Sequence, residues 1–175
     1  HCISLWGNDF RHSYRSLSEI KKMFPNVPIM ALTATATNQV LKDTIHLLGI
    51  TPRIYTKSYF RKNLNIIVKQ RNDSSIQDIV NTINNKYTDL TGIMYCISRK
   101  KCEELSQKLN IMGIECAAYH AGLSDKKRTI IQQLWQEGVY KVIIATVAFG
   151  MGIDKPDVRY VIHYNLPNSI ENYYQ

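Results

Sequence analysis

Apolar residues recur along this chain in two alternating rhythms, and the alternation predicts the fold. Ile76, Ile79, Val80, Ile83 and Tyr87 fall at helical spacing, and Gly92 to Cys96 follows as a short apolar run. Cys102, Leu105, Leu109 and Met112 return to helical spacing and stop at Gly113. A strand over 114–119, a helix over 124–136 closed near Gly138, strands over 141–145 and 158–163, and a helix from Ser169 complete the series. Lys141 to Ala145 places apolar, mostly β-branched residues at consecutive positions, as strands covered on both faces of a parallel sheet do. Strands and helices in this order predict an α/β domain with right-handed crossovers.

Upstream the rhythm is shorter. A helix is expected over 16–24, stopped by Pro25, and a buried strand over 27–32. Thr37 can cap a helix whose stripe is Val40, Leu41, Thr44, Ile45 and Leu48 and whose stop is Gly49, and a further strand is expected over 53–57. Two strands and two helices cannot cover a sheet, so residues 1–57 are expected to complete a domain begun elsewhere. Periodicity fades over 58–73, which reads as a linker, and 74–175 then forms its own domain.

The chain has 175 residues, 45% of them apolar, and carries a net charge of +8. Seven basic and three acidic residues fall in 1–57 and fifteen and eleven in the remainder, so neither part owns the excess. Such a balance favours a polyanionic partner. No apolar stretch approaches the ~20 residues that span a bilayer, so no membrane association is expected. Cys2, Cys96, Cys102 and Cys116 make no C-x-x-C pair and the five histidines lack zinc-site spacing, so neither a cysteine-bound metal nor a disulfide is expected, in an intracellular setting.

Candidate chemistry gathers where strands meet helices. Ala145 to Pro156 joins a strand to a turn in which Gly150 and Gly152 can bring backbone N–H groups close to an anion, while Thr146, Asp154 and Lys155 supply side-chain contacts. A ligand-free turn has the same composition. Ala31 to Thr37, Ser98 to Lys101 and Tyr119 to Ser124 lie at equivalent junctions, where helix N-termini favour phosphates. Each alone reads equally as a capped turn or a solvated basic face, but ligands bind at the carboxyl ends of parallel strands, and sites sharing one edge can act on one ligand. His1 to Arg11 adds Trp6, Phe10 and Arg11, which suit base stacking and phosphate contact or, for the aromatics, core packing.

With these residues in view, the chain resembles the RecQ family of superfamily 2 DNA helicases over nearly its whole length. His1 to Ser4 resembles the end of the DEAH box, Trp6 to Arg11 the aromatic-rich loop, and Ala31 to Thr35 motif III. Gly92 to Arg99 resembles motif IV, Tyr119 to Leu123 the loop that follows, Ala145 to Pro156 motif V, and Tyr173 to Gln175 the opening of motif VI. Gly152 to Arg159 is closer to eukaryotic Bloom and Sgs-type members than to bacterial ones.

The resemblance implies two RecA-like parallel-sheet lobes that close on ATP and Mg2+ and move 3′ to 5′ along one strand of DNA. Single-stranded and duplex DNA are the implied partners, repair, recombination and replication the implied setting, and the nucleus the implied location. By position, His1 links the ATP site to the rest, Thr33, Ala34 and Thr35 couple hydrolysis to lobe closure, and Trp6, Phe10 and Arg11 sense single-stranded DNA. Ser98, Arg99, His120, Gly122 and Thr146 would face the DNA backbone, and Gly150, Gly152, Asp154 and Gln175 the nucleotide. Leu5 and Asn8 depart from the family's usual Gln and His in the coupling loop. The chain opens on His1, contains no G-x-x-x-x-G-K followed by Ser or Thr, and stops before the motif VI arginines. It is therefore expected to be an internal piece that does not hydrolyse ATP by itself, most of the Mg2+ ligands lying outside it. An RNA helicase of the same superfamily and a binding module without ATPase activity are the alternatives.

Overall fold

One sheet holds every strand among the described residues, which are 16–34, 36–58, 60–150 and 152–174 of a computed structural model. Its strands are β1 (Thr91–Tyr95), β2 (Cys116–Tyr119), β3 (Val142–Ala145) and β4 (Val158–His163), in the order β2-β3-β1-β4 with all pairings parallel. The helices are α1 (Ser18–Met23), α2 (Asn38–Leu48), α3 (Ser75–Lys86), α4 (Arg99–Ile111), α5 (Asp125–Gln136) and α6 (Ile170–Tyr174). By their internal contacts the residues form two units, one reaching Ile66 and one running from Ile67 to Tyr173. No helix among the described residues is long and apolar enough to cross a membrane.

The unit from Ile67 to Tyr173 is built on β3. Successive strand residues point to opposite faces. Val142 and Ile144 therefore enter one core with Met94, Leu105, Leu109 and Val80, while Ile143 and Ala145 enter another with Ile93, Trp135 and Phe149. Helices α3 and α4 cover the first face and α5 the second, which is why β3 reads as unbroken apolar sequence. Ile143 and Ile144 are 0% exposed; burying such a side chain is worth about 1.5–3 kcal/mol. Cys96, Cys102 and Cys116 are buried free thiols of the first core or its edge.

Two side chains fix the register beyond this pattern. Gly92 pairs with Tyr160 across β1 and β4, and a Cβ on Gly92 would overlap the Tyr160 ring. That ring stacks on Tyr87 at 4.6 Å, so the missing methyl is the space the tyrosine occupies. Gly113 and Gly138 close α4 and α5 with φ of 86° and 81°, a region that glycine enters without steric cost. Strand β2 begins at Cys116 rather than at 114, because Ile114 N–H donates to the Leu109 carbonyl (2.9 Å) in the turn that ends α4.

In the unit reaching Ile66, α2 is capped at both ends: Thr37 Oγ1 accepts from Val40 N–H (3.3 Å), and Gly49 turns out of the helix at φ 61°. The strands expected over 27–32 and 53–57 are not formed. Met30 and Leu32 are 83% and 84% exposed, and no ladder bond reaches either segment among the described residues. A parallel strand has no hydrogen bonds of its own; without a neighbouring strand, an apolar run has nothing to pair with. His1, Trp6, Phe10, Arg11, Thr35 and Gln175, together with Leu5 and Asn8, lie outside the described residues.

Candidate nucleic-acid and nucleotide site

Parallel strands end on one edge, so the segments that follow β1, β2 and β3 emerge side by side. The ladder continues one residue beyond β1, β3 and β4: Cys96 N–H donates to Ala145 O (2.8 Å), Thr146 N–H to Tyr119 O (3.3 Å) and Tyr164 N–H to Tyr95 O (2.9 Å). These bonds set the starting points of the loops that carry Ser98, His120 and Thr146. The coincidence of sites expected from sequence is therefore realised within the sheet-bearing unit.

Arg99, His120 and Gly122 come into direct proximity. A Cβ on Gly122 would lie 3.2 Å from His120 Nδ1 and 3.3 Å from an Arg99 guanidinium nitrogen, so glycine keeps this corner open. His120 is 3% exposed and pairs through Nε2 with Glu103 Oε1 at 3.2 Å. A carboxylate only accepts, so Nε2 carries the proton in that bond. Nδ1 is buried and has no partner, an orphaned polar atom turned toward Gly122. With the proton on Nε2, Nδ1 is an acceptor, so the donor this corner offers to an anion is the Arg99 guanidinium.

Charge at the two flanking helix starts fits the same partner. Ser98 and Ser124 cap α4 and α5, their hydroxyl oxygens accepting from Lys101 N–H (3.2 Å) and Lys127 N–H (3.4 Å). Helix α4 has no acidic residue in its first turn and instead opens Arg99, Lys100, Lys101. Cations at the positive end of a helix are unfavourable by the same ~0.3–1 kcal/mol that favours anions there. Lys101 is offset by Glu104 at 3.0 Å, which leaves Arg99 and Lys100 as the cations that break the local rule at this helix start.

The segment after β3 is held from beneath. Phe149 is buried against Tyr119 and Trp135, ring centroids 4.7 and 5.2 Å away, and its carbonyl accepts the Tyr95 hydroxyl at 2.7 Å. Burial pushes the Tyr95 phenol up, which keeps it a donor. Tyr95 also stacks on His163 (5.4 Å), whose own pKa burial lowers, so the imidazole is neutral at pH 7. Beyond Phe149 the backbone turns outward, with Ile153 N–H donating to Gly150 O (3.3 Å) and Gly152 at φ 82°. Gly150, Gly152 and Asp154 are exposed, and Thr146 is half-buried. Exposed backbone at two glycines beside a carboxylate suits the polar edge of a nucleotide.

Lys155 corrects the sequence reading. Its Nζ does not reach outward: it pairs with Asp157 Oδ1 at 3.0 Å, donates to the Gln136 carbonyl at 3.1 Å, and lies 5.4 Å from the Trp135 ring centroid. These partners come from the end of α5 and the start of β4, which spacing along the sequence does not reveal. Tyr95, Glu103 and Arg71 were also not foreseen. The Arg71 guanidinium covers the Tyr164 ring (4.3 Å) and donates to its hydroxyl at 3.1 Å. Thr33 and Ala34 belong to the other unit, exposed and outside any helix or strand. Among the described residues no group of three or more His, Cys, Asp or Glu is assembled as a metal site.

Comparison with known proteins agrees with the arrangement. Residues 73–175 match the helicase conserved C-terminal domain. The chain is 45% identical to the RecQ-like DNA helicase blm-1 of Caenorhabditis elegans, covering all of this chain and 18% of the relative. It is likewise 45% identical to the ATP-dependent DNA helicase Q1 of Rattus norvegicus, covering all of this chain and 29% of the relative. Identity reaches 50% with a Q1-type relative from Caenorhabditis briggsae and 45% with the Bloom- and Sgs-type relatives. Saccharomyces cerevisiae Dbp5 bound to RNA and ADP BeF3 shares the fold, with a TM-score of 0.70 and 21% identity over 99% of this chain and 46% of that one. The chain spans between 12% and 29% of the length of the first relatives it matches. A parallel sheet with its loops on one edge, a matching domain model and these identities lead to one conclusion: the chain belongs to the helicase C-terminal domain family, and over its whole length it is 44–50% identical to RecQ-type helicases.

Proposed function

We propose that this chain serves an ATP-dependent DNA helicase, carrying the second motor lobe and an adjoining part of the first, with 58–73 as the connection between them. The observation that carries the reading is the shared edge, where Arg99, the buried His120 and Gly122 come together and the segment after β3 starts beside Tyr119. Arg99, His120, Gly122, Ser98 and Thr146 hold the sugar-phosphate backbone of one DNA strand. Gly150, Gly152 and Asp154 meet the nucleotide, and Thr33, Ala34 and Thr35 connect hydrolysis to lobe closure. His1, Trp6, Phe10, Arg11 and Gln175 keep the roles their family positions imply.

Bound ATP and Mg2+ supply the free energy of phosphoryl transfer. The residues of this chain position and grip. Arg99 offers a charge-assisted bond to a phosphate oxygen, and the Ser98 hydroxyl retains its proton for a second. Backbone grip confers affinity without choosing a sequence, as translocation requires. Movement is 3′ to 5′, in the nucleus, in repair, recombination and replication.

The test is ATP turnover by the full-length protein with single-stranded DNA, single-stranded RNA or neither. Stimulation by DNA well above that by RNA is expected. Equal stimulation by RNA would favour an RNA helicase, and turnover indifferent to both would favour a binding module.

A further inference from the structure

Lys155 sits in the loop proposed to face the nucleotide yet is almost entirely withdrawn from solvent, its side chain 8% exposed. A lysine stem can lie along apolar surface while its ammonium reaches water. Here the ammonium finds protein instead. Three unlike partners enclose it: the Asp157 carboxylate, the last-turn carbonyl of α5 at Gln136, and the face of Trp135. A carbonyl at the negative end of a helix, a carboxylate and an indole face each attract a cation. Asp157 passes the link onward, its Oδ2 accepting from Thr91 Oγ1 at 3.5 Å at the start of β1.

The loop is consequently fastened on both sides of its glycines. At the near end Phe149 is buried in the second core and its carbonyl is held by Tyr95. At the far end Lys155 joins the loop to α5 and β1. Between these points lie Gly150, Gly152 and Asp154, where the described residues contribute a bond from Ile153 N–H to Gly150 O and the packing of Ile153 against the second core. Two glycines without outside support would sample many backbone states, and each fastening removes some of them.

We infer that Lys155 is a positioning residue: it clasps the far end of the loop to α5 and Asp157, and thereby sets the orientation of Gly152 and Asp154 toward the nucleotide, without touching phosphate itself. The inference rests on the proposed nucleotide-facing role of that loop, so its test includes a readout independent of turnover. Lys155→Met keeps the stem along Trp135 and removes the charge, whereas Lys155→Arg keeps the charge.

In the full-length protein, amide hydrogen exchange at Ile153 is expected to quicken in Lys155→Met and to stay close to the original rate in Lys155→Arg. With saturating DNA, Lys155→Met should lower kcat about tenfold and change the KM for ATP less than twofold, the mark of lost geometry rather than lost binding. The dependence of single-strand affinity on salt should keep its slope. A slope reduced by ~0.7, the signature of one lost phosphate contact, would overturn the inference. So would a raised KM at unchanged kcat, or unaltered exchange at Ile153. A parent protein without DNA-stimulated turnover would defeat the helicase reading alone, and exchange at Ile153 would still decide for or against the clasp.

Discussion

The two units of this chain begin from similar sequence and end differently. Val142 to Ala145 and Val27 to Leu32 are both short apolar runs beside helices, yet Ile143 and Ile144 are wholly buried, whereas Met30 and Leu32 stand open. The first run lies between two neighbouring strands and under helices on both faces. The second has no neighbouring strand among the described residues. Strand formation is thus a collective property: a run of β-branched residues makes a strand possible, and its neighbours make it one.

The most severe way to break this comparison is to separate the units. A chain of residues 67–173 should unfold cooperatively on heating, with its most protected amides in β3. Residues 16–66 alone should show weak helical signal and no protected amides over 27–32 or 53–57, since short helices are marginal in isolation. Slow exchange over 27–32 in the isolated piece would end the argument.

A milder intervention disturbs only the sheet. Gly92→Ala forces a methyl into the Tyr160 ring, a tightly packed site whose ring also stacks on Tyr87. The expected loss is roughly 3 kcal/mol, at the upper end of overpacking costs. It should appear as a lower Tm with unchanged exchange in α2. Equal loosening of α2 would mean that the two units are not energetically distinct.

The smallest effect sharpens the picture within one core. Burial pushes the Cys116 thiol up to about 11. The folded state therefore holds the proton more tightly than the unfolded one, so the stabilisation is complete below the unfolded value of about 9 and fades as pH rises toward 11. Thermal melts across that range should fall more steeply for the parent than for Cys116→Ala. Parallel curves would show that this thiol does not feel the core.

Much of the sheet-bearing unit was legible in advance because its signals are local. The strand over 158–163 and the closures of α4 and α5 at Gly113 and Gly138 were read with their observed bounds or stops. The common edge of the junctions after β1, β2 and β3 was also legible from parallel topology, whereas Ala31 to Thr37 follows no strand among the described residues and does not belong to that sheet. What escaped depends on residues brought together by crossovers. Lys155 read as a phosphate ligand because Gln136 and Trp135 are invisible from its neighbours in sequence. Gly92 gave no sign of Tyr160, and Tyr95 none of its bond to the Phe149 carbonyl, for the same reason.

The three cations that open α4 carry one more consequence. Lys101 pairs with Glu104 at 3.0 Å, so the tension at this helix end rests on Arg99 and Lys100 and would be relieved by a polyanion that settles there. Heparin or polyphosphate would raise the melting temperature of this unit much as an oligonucleotide would. Stabilisation alone would therefore report only an affinity for negative charge, and turnover would be needed to tell one polymer from another.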